Sequence, residues 1–314
     1  PMKRLLLFCF GLFVSLGFFT QCSDDPTGVG SEYLEVNSWI RNQMSNYYYW
    51  NFVIPRMVPG NLSPEQFFEE ILYTTDEFSY MTDDAETLLN ELSGSQYSSG
   101  FSPAILSFSD QDRLFMVVKY VYPDSPAQLA GLQRGDIILS VNGQTLNSAN
   151  YQELLQIEGT ATYGLGSYSL DEETQQANIT DLDSVISVRK EILQLDPVIT
   201  TKVIETGGKR IGYLFYAQFI DGTADLFING LNERLAELKA QQIDELVIDL
   251  RYNPGGRITA ASQFANALVP LETAQNKDIF VEFEYNSLLE NFYQNTDGVE
   301  SENLFLRFQE GPIS

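Results

Sequence analysis

Asp249-Leu250-Arg251-Tyr252-Asn253-Pro254-Gly255-Gly256 joins two kinds of secondary structure. Strand formers, Leu246-Val247-Ile248, precede it, and a helix-like segment, Arg257 to Leu268, follows. A Pro-Gly-Gly turn placed there presents N–H groups at a helix N-terminus, where they have no intrahelical acceptor. Such a turn suits a developing negative charge. Working outward, Ile211 to Tyr216 reads as a buried strand, with Gly207-Gly208 as the turn before it. A helix capped by Thr223 follows, with Leu226, Phe227, Leu231, Leu235 and Leu238 on one face. Leu246 to Leu250 then closes a β–α–β unit, for which a right-handed crossover is expected. Asp196 to Ile204 is a further extended piece.

Composition narrows the chemistry. The 314 residues allow one to three domains, at roughly 100–200 residues each. A hydrophobic content of 44% is enough for real cores. The net charge of −25 repels phosphate backbones and argues against a nucleic-acid partner. Histidine is absent, which removes Ser-His-Asp and Cys-His catalysis and zinc sites built on histidine. Cys9 and Cys22 are too few for a disulfide framework. The acids Asp171, Glu172, Glu173, Asp181 and Asp183 follow no calcium-loop spacing, so they read as a solvated loop. No metal or cofactor is called for.

The N-terminal half divides by pattern. Val36, Trp39, Ile40, Met44, Tyr47 and Tyr48 recur at helical spacing. Ser63-Pro64-Glu65-Gln66 is a capping box with proline in the first turn, and Phe67, Phe68, Ile71 and Leu72 form one apolar face behind it. Tyr47-Tyr48-Tyr49-Trp50 reads as core or interdomain packing in preference to a ligand platform. Ile105 to Phe108 and Leu114 to Val121 are strand-like. Ser125-Pro126 starts a one-turn helix that Gly131 ends, Gly135-Asp136 turns, and Ile137 to Val141 is a buried strand. Asn142-Gly143 is a tight hairpin turn. Asn147 to Ile157 is a helix, 160–185 a hairpin or loop insertion, and Val185 to Leu195 strand-like.

The string from Ser125 to Gly143 is similar to the PDZ signature. The Gly212-Tyr213-Leu214 strand, helix, strand and Asn-Pro-Gly-Gly series resembles the catalytic core of the C-terminal processing (tail-specific) serine peptidases. Small helical domains with a similar Tyr-Tyr-Trp segment precede the PDZ domain in that family. The resemblance implies an α+β multidomain fold: a helical domain at 31–93, a PDZ-like β domain at 94–200 with a loop insertion near 160–185, and the N-terminal part of a crotonase/ClpP-like α/β peptidase core at 201–314. A PDZ domain adds an extended peptide as a strand and holds its terminal carboxylate on backbone N–H groups. The matching carboxylate loop here is Ser99-Gly100-Phe101-Ser102, with Tyr151 to Leu155 as the pocket's other wall. The family's serine attacks the scissile carbonyl, and a buried neutral lysine takes its proton. The Asn-Pro-Gly-Gly turn contributes one oxyanion donor, which maps to Gly255 or Gly256.

The nucleophile and the lysine stand well downstream of that turn in the family, and neither motif is found here. Ser262, in Thr259-Ala260-Ala261-Ser262, falls inside the predicted helix and reads as structural, and Lys209 and Lys277 have no recognisable partner. The resemblance therefore implies a serine and a lysine beyond this chain, and a 314-residue polypeptide that is inactive alone. The alternatives are a PDZ-bearing pseudoprotease or peptide-binding scaffold, and a non-proteolytic carrier on a related core, against which the PDZ signature argues.

At the N-terminus, Lys3-Arg4 and the apolar run Leu5 to Phe19 form a signal peptide over 1–22, since a membrane span needs about 20 apolar residues. Cys22-Ser23-Asp24-Asp25 resembles a Bacteroidetes-type lipoprotein site, with 23–30 as a tether. Lipidation at Cys22 would place the protein in the cell envelope, anchored to a membrane and acting on peptide or protein C-termini.

Overall fold

The computed structural model describes residues 33–57, 62–108, 112–173, 177–296 and 304–311. The signal, the tether and Cys22 lie outside them. Pro1–Ser79 and Tyr80–Ser314 are two compact units.

The first unit holds α1 (Leu34–Tyr47) and α2 (Pro64–Ile71). The capping box forms as its spacing predicts: the Gln66 N–H donates to Ser63 Oγ and the Ser63 N–H to Gln66 Oε1. Phe67 and Ile71 are buried beneath it. In α1 the buried positions are Asn37 and Ile40, while Val36, Trp39 and Tyr47 are exposed, so the apolar spacing overstates the core face. Tyr48 is core: its hydroxyl donates to Asp76 at 2.7 Å and accepts from the Tyr73 N–H. Helix α3 (Ala85–Leu92) falls in the second unit, so the helical unit stops at Ser79, short of the expected residue 93.

Strands β1 (Ser95–Ser98), β2 (Phe101–Ser107) and β3 (Leu114–Val121) open the second unit. The one-turn α4 (Pro126–Leu129), β4 (Ile137–Val141), β5 (Gln144–Thr145) and α5 (Tyr151–Gln156) follow. Then come β6 (Thr160–Leu170), β7 (Ala177–Arg189) and β8 (Glu191–Gln194). The PDZ-like sheet runs β2-β3-β4-β6-β7, with β5 on β4, and β1 pairs separately with β8. Met116, Val118, Ile138, Val141, Leu154, Ala161 and Val188 form its core. Of the two readings of 160–185, hairpin or loop insertion, the structure shows the hairpin, β6 and β7, and it is no insertion beside the sheet, since Tyr163 to Gly166 pair with β4.

The third region is built from β9 (Val198–Thr206), β10 (Lys209–Tyr216), α6 (Leu226–Ala240), β11 (Glu245–Asp249) and α7 (Ile258–Leu268). The sheet order is β11-β10-β9, parallel for β10–β11 and antiparallel for β9–β10. Since β9 starts at Val198, this region begins slightly before residue 201. Leu214, Tyr216, Leu231, Leu235 and Phe264 fill the core between the sheet and its helices. Thr223 does not cap α6: a single 3-10 turn, with Ala224 and Asp225 at positive φ, leads into the helix, and Leu226 is exposed while Ile228 is buried. Helix α8 (Leu271–Gln275), β12 (Ile279–Glu282), α9 (Ser287–Asn295) and β13 (Phe305–Arg307) complete the order, with β12 antiparallel to β13.

Candidate active site and peptide groove

The Asn-Pro-Gly-Gly turn is held from three sides. At the end of β11, the buried Asp249 carboxylate accepts from Tyr213 Oη at 2.6 Å and from the Arg251 guanidinium at 2.6 and 2.9 Å. The Arg251 fork, against the opposing effect of burial, holds the Asp249 carboxyl well below the usual carboxylate range, with help from Tyr213 and the Arg251 N–H. Asn253 then brackets the turn. Its Nδ2 donates to the Tyr216 carbonyl and its Oδ1 accepts from the Gly255 N–H at 2.8 Å. On the far side, the Phe219 N–H donates to the Gly255 carbonyl, and the Arg257 N–H donates to the Phe219 carbonyl. Asp221 ties down the helix start, accepting from Thr259 Oγ1 and from Arg257.

This arrangement separates the two candidate glycines. The Gly255 N–H is already bonded to Asn253. The Gly256 N–H meets no acceptor among the described residues, and Gly256 is exposed. Gly256 sits at φ +138°, and an added Cβ would overlap the Phe219 carbonyl, so only glycine fits. Gly255 is at φ +111° with open space around it.

No described serine–lysine pair stands beside the turn. Ser262 is half-buried within α7. Lys209 is exposed and ion-paired with Glu245. Lys277 is exposed.

The PDZ-like sheet touches the same turn. Arg134 lies over the Tyr252 ring at 5.3 Å, and its Nη2 donates to the Tyr252 hydroxyl at 3.2 Å. Tyr120 packs edge-on against Phe215, with centroids 5.3 Å apart. A cleft of about 480 Å³ beside this contact is lined by Tyr120, Arg134, Lys202, Tyr213 and Phe215.

The segment Ser99 to Ser102 is closely packed. Ser99 is buried with its Oγ 3.1 Å from the Tyr163 hydroxyl, and Phe101 packs edge-on against the same ring. The Gly100 carbonyl accepts from Ser125 Oγ and the Tyr122 N–H. Gly100 has φ +85° and lies against Ser125, which leaves no room for a side chain. Phe101 begins the pairing of β2 with β3, and Ser102 follows opposite Tyr120, just before a bulge at Pro103. Strand β2 is an edge strand, so its outer edge is open to an added strand. Ser125 thus does two jobs, capping α4 through the Gln128 N–H and bracing the loop; only the first is readable from local spacing.

Comparison with known proteins agrees with this geometry in chain order. Residues 35–80 match the peptidase S41 N-terminal domain, 117–162 a PDZ domain and 210–284 peptidase family S41. Over these three segments the chain is similar to the S41 family of C-terminal processing peptidases. A carboxyl-terminal-processing protease of Picosynechococcus sp. is 31% identical over 152 residues, covering 48% of this chain and 34% of that protein. A carboxy-terminal processing protease of Bacillus subtilis is 27% identical over 155 residues, covering 49% and 30%. The chain thus spans about a third of the length of the curated relatives it matches. The crystal structure of a Bacteroides fragilis protein described as an S41 protease superposes with a TM-score of 0.63 at 24% identity, covering 87% of this chain and 66% of that one, and so shares the fold.

Proposed function

We propose that this protein is an S41 serine-type endopeptidase with a serine–lysine mechanism, in which the Gly256 N–H is one oxyanion donor and the PDZ-like groove engages peptide C-termini. The observation that carries this reading is the unbonded, exposed Gly256 N–H, fixed by Asn253 on one side and Phe219 on the other. A tetrahedral oxyanion is stabilised by donors oriented before the charge develops, and this donor has no reorganisation left to do. This reading places the nucleophile and the base outside the described residues. The same proposal makes Cys22 a lipidated first residue anchoring the protein in the cell envelope, and Cys22→Ser moves it to the soluble fraction.

The test compares this chain with the protein extended to the length of its relatives, on one unstructured substrate with a free C-terminus. Turnover by the extended protein alone is the expected result. Turnover by the 314-residue chain, lost in Ser262→Ala, places the nucleophile on α7 and overturns the assignment. An extended protein that binds the substrate without cleaving it is a peptide-binding scaffold.

A further inference from the structure

Strand alternation puts Lys202 of β9 and Tyr213 and Phe215 of β10 on one face of the peptidase-like sheet, with Lys202 directly opposite Tyr213. Leu214 and Tyr216 point the other way, into the core shared with α6 and α7. The first face forms one wall of the cleft of about 480 Å³, and Tyr120 and Arg134 of the PDZ-like region form the other. The Lys202 ammonium lies 5.1 Å from the centre of the Tyr213 ring, and Arg134 lies over the Tyr252 ring. An aromatic face attracts a cation and holds it in place, but supplies no counter-ion.

Neither cation is ion-paired with a carboxylate among the described residues, although the chain has 43 acidic residues and a net charge of −25. Other cations of the same region do have partners: Lys209 has Glu245, Arg210 has Glu205 and Arg251 has Asp249. The acids bonded beside the cleft are committed elsewhere. Asp249 takes the Tyr213 hydroxyl and the Arg251 fork, and Asp136 accepts from the Gln133 N–H. An exposed lysine alone is solvated and needs no partner. Two cations brought to one cleft from two sheets, on aromatic walls, reverse the sign of an acidic chain locally. The place is also specific: Tyr252, beneath Arg134, immediately precedes the Asn253 that mounts the Gly256 turn.

We propose that this cleft is a subsite for an acidic side chain, aspartate or glutamate, of a bound peptide, with the Lys202 ammonium and the Arg134 guanidinium as its ion partners. The inference rests on the reading of the protein as one that binds peptides. The carboxylate replaces water at donors that no protein acid occupies, and the Tyr120 and Phe215 rings receive the methylene stem. The repulsion from the chain's net charge is screened over about 8 Å at physiological salt, so the two local cations decide the sign at the cleft.

The test measures fluorescence anisotropy of labelled decapeptides on the full chain. All share one otherwise uncharged sequence and the same free C-terminus, with Glu or Gln placed at each internal position in turn, so each pair reports the side chain alone. At one or two positions wild type should bind the Glu peptide about fivefold more tightly than its Gln partner, what one part-exposed ion pair gives. Lys202→Met should lower that ratio, and Lys202→Glu should invert it. Lys209→Met, whose lysine is exposed and paired with Glu245 outside the cleft, should leave it unchanged. Lys202 is exposed, so its substitution leaves the core intact. A Glu preference that survives Lys202→Glu overturns the assignment to this cleft. Peptides that bind with no Glu preference at any position overturn the subsite and leave the peptide-binding reading standing. A wild-type chain that binds none of the peptides overturns both.

Discussion

Two asparagine-led turns, one in each sheet, use their donors differently. In the PDZ-like sheet, Asn142-Gly143 turns β4 into β5 with both residues at positive φ. Its N–H and side chain are consumed by Thr162 of β6: the N–H donates to the Thr162 carbonyl, and Oδ1 accepts from the Thr162 N–H and Oγ1. The turn stitches three strands together. In the peptidase-like region, Asn253 bonds inward to Tyr216 and forward to Gly255, and the next N–H, that of Gly256, is left facing outward. Similar residues thus make a joint in one place and a rigid mount for an open donor in the other. An exposed N–H is solvated by water and costs little, so its rigid placement is what separates a ligand-ready turn from a connector.

The largest effect should come from breaking the second turn at its glycines. Gly256→Ala places a Cβ on the Phe219 carbonyl and forces apart the bridge between Phe219 and Gly256. Gly255→Ala meets no neighbour and incurs only the strain of its positive φ, about 1–3 kcal/mol. Urea unfolding should rank Gly256→Ala well below Gly255→Ala; equal losses would mean that the Phe219 bridge does not hold the turn.

Next come the asparagines. Asn253→Ala removes part-buried side-chain bonds, at about 1–3 kcal/mol, and Asn142→Ala exposed ones, at about 1 kcal/mol. Their effects on turnover should differ further. In the extended protein, Asn253→Ala frees Gly256 to move and should lower turnover by as much as ~10²-fold, the low end for loss of one oxyanion donor. Asn142→Ala should leave turnover near wild type. Parallel losses of turnover in both would erase the distinction between joint and mount.

Local signals were legible in the sequence where the structure is local. The Ser63–Gln66 box and the Ser125 cap each lie within three residues of their partners, and the Asn142-Gly143 turn closes between Val141 and Gln144. The Asn-Pro-Gly-Gly turn is legible in the same way. Which of its glycines keeps a free N–H is not, because that depends on Phe219, more than thirty residues upstream, and on the rotamer of Asn253. Lys190 sits in Arg189-Lys190-Glu191, which looks like a solvated charge run, yet its side chain is buried and donates to the Leu155 carbonyl, 35 residues upstream. Sequence leaves 160–185 open between a hairpin and a loop insertion because the exposed positions of β7 are polar and acidic. Thr223 fails as a cap because the Phe227 and Ile228 N–H groups reach back to the Asp221 carbonyl.

A smaller effect concerns the Asp249 carboxylate that anchors the mount. Its folded pKa is depressed, so its stabilisation is present above the unfolded value of about 4 and is lost as pH falls through the folded one. The Arg251 side chain is 73% exposed, so the ion pair is screened and the Tyr213 hydroxyl bond matters more. Asp249→Asn should flatten the acid limb of the stability curve below about pH 4, and Arg251→Ala should change it less than Tyr213→Phe does. The reverse ranking would make the exposed fork the principal support of the turn.

The smallest expected effect lies outside both turns and serves as their control. In the helical unit, Asp76 also accepts from a tyrosine hydroxyl, that of Tyr48, and from the Phe78 and Ser79 N–H groups. Burial alone would raise the Asp76 carboxyl, but bonds from Ser79, Tyr48 and Phe78 outweigh it and hold the group at about 2. Because the folded value is the lower one, this stabilisation is complete above about pH 4 and fades between about pH 4 and about 2. Tyr48 responds in the opposite sense: burial, opposed by the Tyr73 N–H and aided by Asp76, pushes its hydroxyl up to about 12, so it stays protonated throughout that acid window. Tyr48→Phe should therefore remove on the order of 1 kcal/mol at neutral pH and shrink the acid-sensitive part without abolishing it, since Phe78 and Ser79 still donate. Hydrogen exchange on the whole chain, followed at amides of α1 and α2 against those of β10 and α7, reads the two regions separately. Protection in α1 and α2 should fall across that window in wild type and stay flat in Asp76→Asn, with β10 and α7 indifferent to the substitution. Loss of protection at β10 in Asp76→Asn would show that the helical unit and the peptidase-like sheet unfold together, and the comparison of the two turns would then need to include the helices as well.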